Sequence, residues 1–110
     1  MNNRRVVVTG LGMLCPVGND VESSWEALKA GRSGIETLSA FDTSAFTTHF
    51  GGTVKDFDVS EVMPLKDAKR MDIFMQYGIA AGAEAYADSG LAEVDLDPAR
   101  AGVSVGTGIG

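Results

Sequence analysis

The first apolar run along the chain is Val6-Val7-Val8, set between Arg4-Arg5 and Thr9-Gly10. Three consecutive β-branched residues predict a short strand over 5–9, covered on both faces. Gly10-Leu11-Gly12 ends that run in a tight turn, and Cys15-Pro16-Val17-Gly18 continues the loop. Val21, Trp25 and Leu28 then recur at i, i+4 and i+7, which is one stripe of a helix. Asn19 or Asp20 is positioned to cap it, Asn19 and Glu22 having an imperfect capping-box spacing. Gly31 stands where a left-handed residue closes helices.

Residues 33–64 have no clear period. Phe41, Phe46, Phe50 and Phe57 are spread through this stretch, so it is expected to pack onto something, with a short strand near 52–54. Pro64 can open a helix, and 65–89 reads as one long helix ended by Ser89-Gly90. Met71, Phe74, Met75 and Ile79 give this helix apolar bulk. Gly78, Ala81, Gly82 and Ala85 give it a side of small residues, which suits close packing in a central position. A polar connector containing Pro98 leads to a second predicted strand over 101–106 and then to Gly106-Thr107-Gly108-Ile109-Gly110. The order strand, helix, loop, helix, strand predicts an α/β class with a mainly parallel sheet. Two strands make no stable sheet alone, and the final turn is where a further helix is expected, so the chain reads as an interrupted unit.

Composition narrows the function. The 110 residues are 45% hydrophobic, enough for a core rather than a disordered tail. A net charge of −6 argues against a general nucleic-acid surface. No run approaches the roughly 20 apolar residues of a membrane span. Gly10 and Gly12 interrupt the opening apolar run, no small-residue cleavage site follows, and Leu14 before Cys15 does not suit a lipoprotein signal. With a single cysteine, no internal disulfide framework forms, so a reducing, cytoplasmic setting is expected.

Four features could carry chemistry. Gly10-Leu11-Gly12 after a strand resembles the start of a dinucleotide fingerprint, but Cys15 stands where the third glycine is needed and Pro16 disturbs the helix start; the competing reading is a structural turn. Cys15 as a nucleophile needs a base, and nothing signals that His49, the lone histidine, meets it; an inert small side chain is the simpler reading. No metal-ligand spacing is present. Lys66, Lys69 and Arg70 share a helical face, either a solvated one partly neutralised by Asp67 and Asp72 or one that attracts an acidic partner. The glycines of 106–110 either let a ligand approach backbone around Ile109 or simply turn the chain from strand to helix.

The series as a whole is more specific than any of its parts. Arg4-Arg5-Val6-Val7-Val8-Thr9-Gly10-Leu11-Gly12, Pro16-Val17-Gly18-Asn19, Phe41-Asp42-Thr43-Ser44, Met71-Asp72, Gln76-Tyr77-Gly78, Asp88-Ser89-Gly90-Leu91 and Gly106-Thr107-Gly108-Ile109-Gly110 run the length of the chain. Together they resemble the opening of the elongating β-ketoacyl-acyl-carrier-protein synthases, condensing enzymes of bacterial fatty-acid biosynthesis. That resemblance implies a thiolase-like fold of five layers (αβαβα) in a cytoplasmic homodimer, with residues 1–110 forming an incomplete part of the N-terminal half. The implied acyltransferase reaction is a decarboxylative Claisen condensation of an acyl thioester with malonyl-acyl-carrier-protein, without cofactor or metal, and with acyl carrier protein as partner. The nucleophilic cysteine and two histidines are expected beyond residue 110; Cys15 and His49 are not their counterparts, and the chain alone is expected to be inactive. By the same resemblance, Lys66, Lys69 and Arg70 dock the carrier protein, and Ile109, with Gly108 in its loop, lines the acyl pocket. Two rival readings are a non-catalytic, chain-length-factor-like relative and a nucleotide-binding α/β module.

Overall fold

The structure, a computed structural model, describes residues 3–110. Met1 and Asn2, the start of the opening segment, lie outside the described residues. Helix α1 spans Val21–Lys29. Asp20 is extended and its carboxylate accepts the Ser23 N–H at 2.6 Å, one of the orphan donors of the first turn. Asn19 does not cap; its side-chain amide donates to the Lys55 carbonyl at 2.7 Å. Gly31, at φ 66°, ends the helix in the predicted left-handed conformation.

The face that α1 buries differs from the expected stripe. Ser24 and Ala27 are the buried residues, whereas Trp25 is 58% exposed and Leu28 is exposed with it. The small residues let α1 lie close to the 15–18 turn: a β-carbon on Gly18 would sit 2.5 Å from the Ser24 nitrogen. The larger side chains of the stripe are left mostly to solvent, with the Lys29 ammonium 6.0 Å above the Trp25 ring.

Strands β1 (Ile35–Thr37) and β2 (Phe50–Gly52) form an antiparallel pair, Ile35 opposite Gly52 and Thr37 opposite Phe50. The strand expected near 52–54 thus lies slightly earlier, and its partner was not predicted. Within the loop between them, Phe41 and Phe46 meet edge to face at 6.1 Å. Phe57 meets Tyr77 in the same way at 5.1 Å, which fixes the irregular stretch to the helix beyond it.

The predicted helix over 65–89 is two helices, α2 (Leu65–Ala68) and α3 (Ile73–Asp88). Bonds from Arg70 N–H to the Asp67 carbonyl and from Met71 N–H to the Ala68 carbonyl tighten the end of α2. The Gln76 side-chain amide then donates to the Ala68 and Met71 carbonyls, at 3.1 Å each, and satisfies acceptors that a continuous helix would have used. Asp72, at ψ 157°, is extended and restarts the chain into α3. Gly90, at φ 67°, follows the end of α3 as expected, and short 3-10 turns occupy 59–61, 91–93 and 98–100.

Neither predicted outer strand is paired. Residues 5–9 and 101–106 join no ladder, and Val6 and Val103 are 89% and 94% exposed. The sheet among the described residues is therefore a two-stranded antiparallel one, not a parallel one. Both segments instead flank α3. Gly10 and Gly12 lie against the helix backbone at Ala81, Ala85 and Ser89, while the Val105 side chain would meet a β-carbon on Gly78 at 3.6 Å. The small residues of α3 thus admit the backbone of one segment and a side chain of the other, as their spacing predicts. The radius of gyration is 17.5 Å, against about 13 Å for a compact chain of this length. Ala27 and Ala68 are the buried apolar residues among those described.

Candidate functional site

The basic cluster sits on α2 and the turn after it. Lys66 lies within the helix, Lys69 caps its C-terminus, and Arg70 follows. Lys69 and Arg70 therefore stand at the negative end of α2's own dipole, and not at the positive end of one long helix. All three are exposed. The ion pairs among the described residues are Lys29–Glu26 and Lys55–Glu36, so Asp67 and Asp72 do not pair with this cluster. Three cations thus face solvent on a chain whose net charge is −6.

The second candidate begins beside the cluster, at the start of α3, and runs along that helix. An open groove of about 700 Å³ runs between α3 and residues 103–107, lined by Met71, Phe74, Met75, Ile79, Val103 and Val105 among others. Beside it, the Gly110 N–H donates to Thr107 Oγ1 at 3.0 Å, and Gly110, at φ 93°, comes so close to Phe74 that a β-carbon would lie 3.2 Å from the ring. Ile109 stands fully exposed, and nothing lies within 4 Å of a β-carbon placed on Gly108. Neither residue lines the groove. The structure thus brings the 106–110 turn to Phe74 without enclosing Ile109.

The G-x-G segment is a packing device. The Leu11 N–H donates to Asp88 Oδ2 at 2.9 Å, and the Met13 N–H donates to Glu84 Oε2 at 2.8 Å. The amides a phosphate would need are already held by carboxylates, whose charge repels an anion. The helix after this turn begins only at Val21. This geometry opposes the nucleotide-binding reading.

Cys15 and His49 are not brought together as a pair. His49 Nδ1 lies 3.2 Å from Thr43 Oγ1 in the exposed loop. Cys15 Sγ lies 3.4 Å from Ser24 Oγ, and that hydrogen bond, with the Val17 and Gly18 amides, holds the thiol below its usual pKa against a smaller opposing effect of burial. Among the described residues no group of three His, Cys, Asp or Glu side chains could hold a metal ion.

Two organising residues escaped sequence reasoning. Glu84 also accepts the Val21 N–H on Oε1 at 2.8 Å, so one carboxylate caps α1 from another helix and holds the 11–13 segment. Lys55 Nζ donates to the carbonyls of Pro16, Gly34 and Thr53 at 3.3–3.4 Å and pairs with Glu36 at 3.2 Å. Glu36 is held below the usual carboxylate range by the Thr53 hydroxyl first and by Lys55 second. Both residues act between positions far apart in the chain, which no short motif records.

Known proteins match this sequence along its whole length. The 3-oxoacyl-[acyl-carrier-protein] synthases 2 of Vibrio harveyi and Vibrio cholerae are each 59% identical over 110 residues, 100% of this chain and 26% and 27% of theirs. The synthase of that name from Staphylococcus aureus is 43% identical over 108 residues, 98% of this chain and 26% of its own. The chain therefore spans about a quarter of the length of these relatives. A solved structure, the ishigamide ketosynthase/chain length factor, superposes with a TM-score of 0.68 at 38% identity, over 80% of this chain and 22% of the other. No helix among the described residues is long and apolar enough to cross a membrane. The family model described as "Beta-ketoacyl synthase, N-terminal domain" matches residues 3–110, so the unpaired outer segments, the small-sided α3 and the closing glycine turn are those of a chain that belongs to the beta-ketoacyl synthase family.

Proposed function

We propose that this chain is the N-terminal part of a 3-oxoacyl-acyl-carrier-protein synthase that elongates acyl chains in fatty-acid biosynthesis. The observation that carries the proposal is 59% identity over all 110 residues to synthases of that name. In this reading a cysteine elsewhere in the complete enzyme takes the acyl group as a thioester, malonyl-carrier-protein loses carbon dioxide, and the carbanion attacks the acyl-enzyme. Covalent capture divides a difficult step in two. The present residues supply scaffold and surfaces. Exposed Val6–Val8, Val103 and Val105 support a five-layer thiolase-like arrangement in which further strands cover them. A cytoplasmic homodimer belongs to the same reading.

Within it, Lys66, Lys69 and Arg70 form the docking surface for the acidic carrier protein, supported by their exposure and by the lack of carboxylate partners among the described residues. Ile109 and Gly108 belong to the acyl pocket, supported by the turn that brings Gly110 against Phe74. Incubation of the full-length protein with acyl-carrier-protein should add the mass of one acyl group to a cysteine, and malonyl-carrier-protein should then discharge it with release of carbon dioxide. A full-length protein that never gains this mass refutes the synthase reading.

A second reading has its own support in the ketosynthase/chain length factor neighbour. A chain-length-factor-like protein would take up no acyl group and would still bind a partner ketosynthase. The same mass measurement separates the two.

A further inference from the structure

The docking surface proposed above contains a side chain that charge does not explain. Leu65 opens α2 and is 57% exposed. Its carbonyl accepts the Lys69 N–H at 3.1 Å, so Leu65 and Lys69 stand one turn apart on one stripe. Lys66 follows Leu65 in the helix, and Arg70, whose N–H bonds the Asp67 carbonyl at 3.0 Å, follows the cap. Ala68, by contrast, is 4% exposed. Leu65 is thus a large exposed apolar side chain beside three exposed cations that have no carboxylate partner among the described residues.

We infer that Leu65 is the apolar anchor of this surface, seated against an apolar patch between the acidic side chains of the carrier protein. The inference rests on the docking reading of Lys66, Lys69 and Arg70. Charge complementarity identifies the partner, because an exposed cation triad on an acidic chain selects an anionic face. The two kinds of side chain have separable duties. Exposed rim charges act mainly on the association rate and its salt dependence. A desolvated apolar contact acts mainly on the dissociation rate. Leu65 therefore sets how long the carrier stays, and the cations set how fast it arrives.

The test measures association and dissociation of purified acyl carrier protein on the full-length protein over a range of salt concentrations. Leu65→Ala should raise the dissociation rate about fivefold or more, leaving the association rate and its salt slope unchanged. Leu65→Met should retain the parent dissociation rate. Lys66→Glu with Lys69→Glu should slow association and flatten the salt slope. A matched thermal midpoint for Leu65→Ala assigns the change to binding and not to folding. If Leu65→Ala dissociates as the parent does while the charge reversals slow association, the anchor is overturned and the docking surface stands. If the charge reversals leave association and its salt slope unaltered, the docking reading itself fails and the anchor assignment with it.

Discussion

Glu84 offers a graded test of how this fold is held. Its two carboxylate oxygens accept separate backbone donors, Val21 N–H and Met13 N–H, at 2.8 Å each. A shielded hydrogen bond to a charged acceptor contributes about 1.5–3 kcal/mol. Glu84 is half-buried and Met13 is exposed, so about 1 kcal/mol each is the better figure once water competes. Negative charge at the start of α1 adds about 0.3–1 kcal/mol. Glu84→Ala should then cost about 2–3 kcal/mol locally. Glu84→Gln keeps one acceptor and turns an amide donor toward the other N–H, for a cost of about 1–1.5 kcal/mol. Amide hydrogen exchange on the full-length protein reads this directly. In Glu84→Ala the Met13 amide should exchange roughly 5-fold faster and the Val21 amide, which also loses the charge at the helix start, roughly 10- to 30-fold faster, with smaller factors in Glu84→Gln. Parent-like exchange of both amides in both variants would refute the idea that this carboxylate joins the two segments.

Gly12→Ala should be more damaging than an ordinary surface change, because its β-carbon would overlap the Ala81 carbonyl and crowd the Ala85 nitrogen at 2.8 Å. A cost of about 3 kcal/mol or more is expected from displaced helix backbone, measured as a fall in the denaturation midpoint. Asp20→Ala should cost about 1 kcal/mol by removing the cap of α1. The Ser23 side chain first and the Ser23 amide second hold Asp20 below its usual carboxylate range. Because the folded pKa is the lower one, the cap's contribution is full above the unfolded value of about 3.9 and fades as pH falls through the folded value. Stability of the parent and of Asp20→Ala should therefore converge in strong acid; a constant gap at every pH would contradict the cause assigned. Ile109→Phe in the full-length protein should shorten the longest acyl chain accepted, and an unaltered product profile removes Ile109 from the pocket. Reversing Lys66, Lys69 and Arg70 together to Glu should abolish carrier-protein binding at low salt, where screening is weakest.

Local signals read well where one residue decides the outcome. Asp20 and Gly31 bound α1 as their chemistry predicts, because a cap acts over three or four residues. The small side of α3 forecast close approach for the same reason, although not which segments would use it. Burial was harder to read. The stripe of Val21, Trp25 and Leu28 promised a core, yet Ser24 and Ala27 occupy the inward side, since a helix period identifies a face and not its partner. The break at 69–72 lacks proline and glycine and is sustained by Gln76 reaching back to Ala68 and Met71, a contact with no signature in spacing. The valines at 6–8, 103 and 105 are apolar as strands should be, but ladder formation depends on a neighbouring strand, which no pattern within the run reveals. Of the proposed surfaces, the cations are evident in the sequence as a cluster, whereas Leu65 is conspicuous only by its exposure in the fold.

The Lys55 ammonium has a consequence for the order in which the molecule assembles. It gathers carbonyls from Pro16, Gly34 and Thr53, across separations of 39, 21 and 2 residues. Closing a flexible loop of the longest span costs about 3 kcal/mol in chain entropy before any contact repays it. The knot is therefore expected to tighten after the hairpin and α1 have formed, late on the folding route. Weakening it should quicken unfolding and leave the refolding rate nearly untouched, so Lys55 guards the lifetime of the finished structure more than the speed of reaching it.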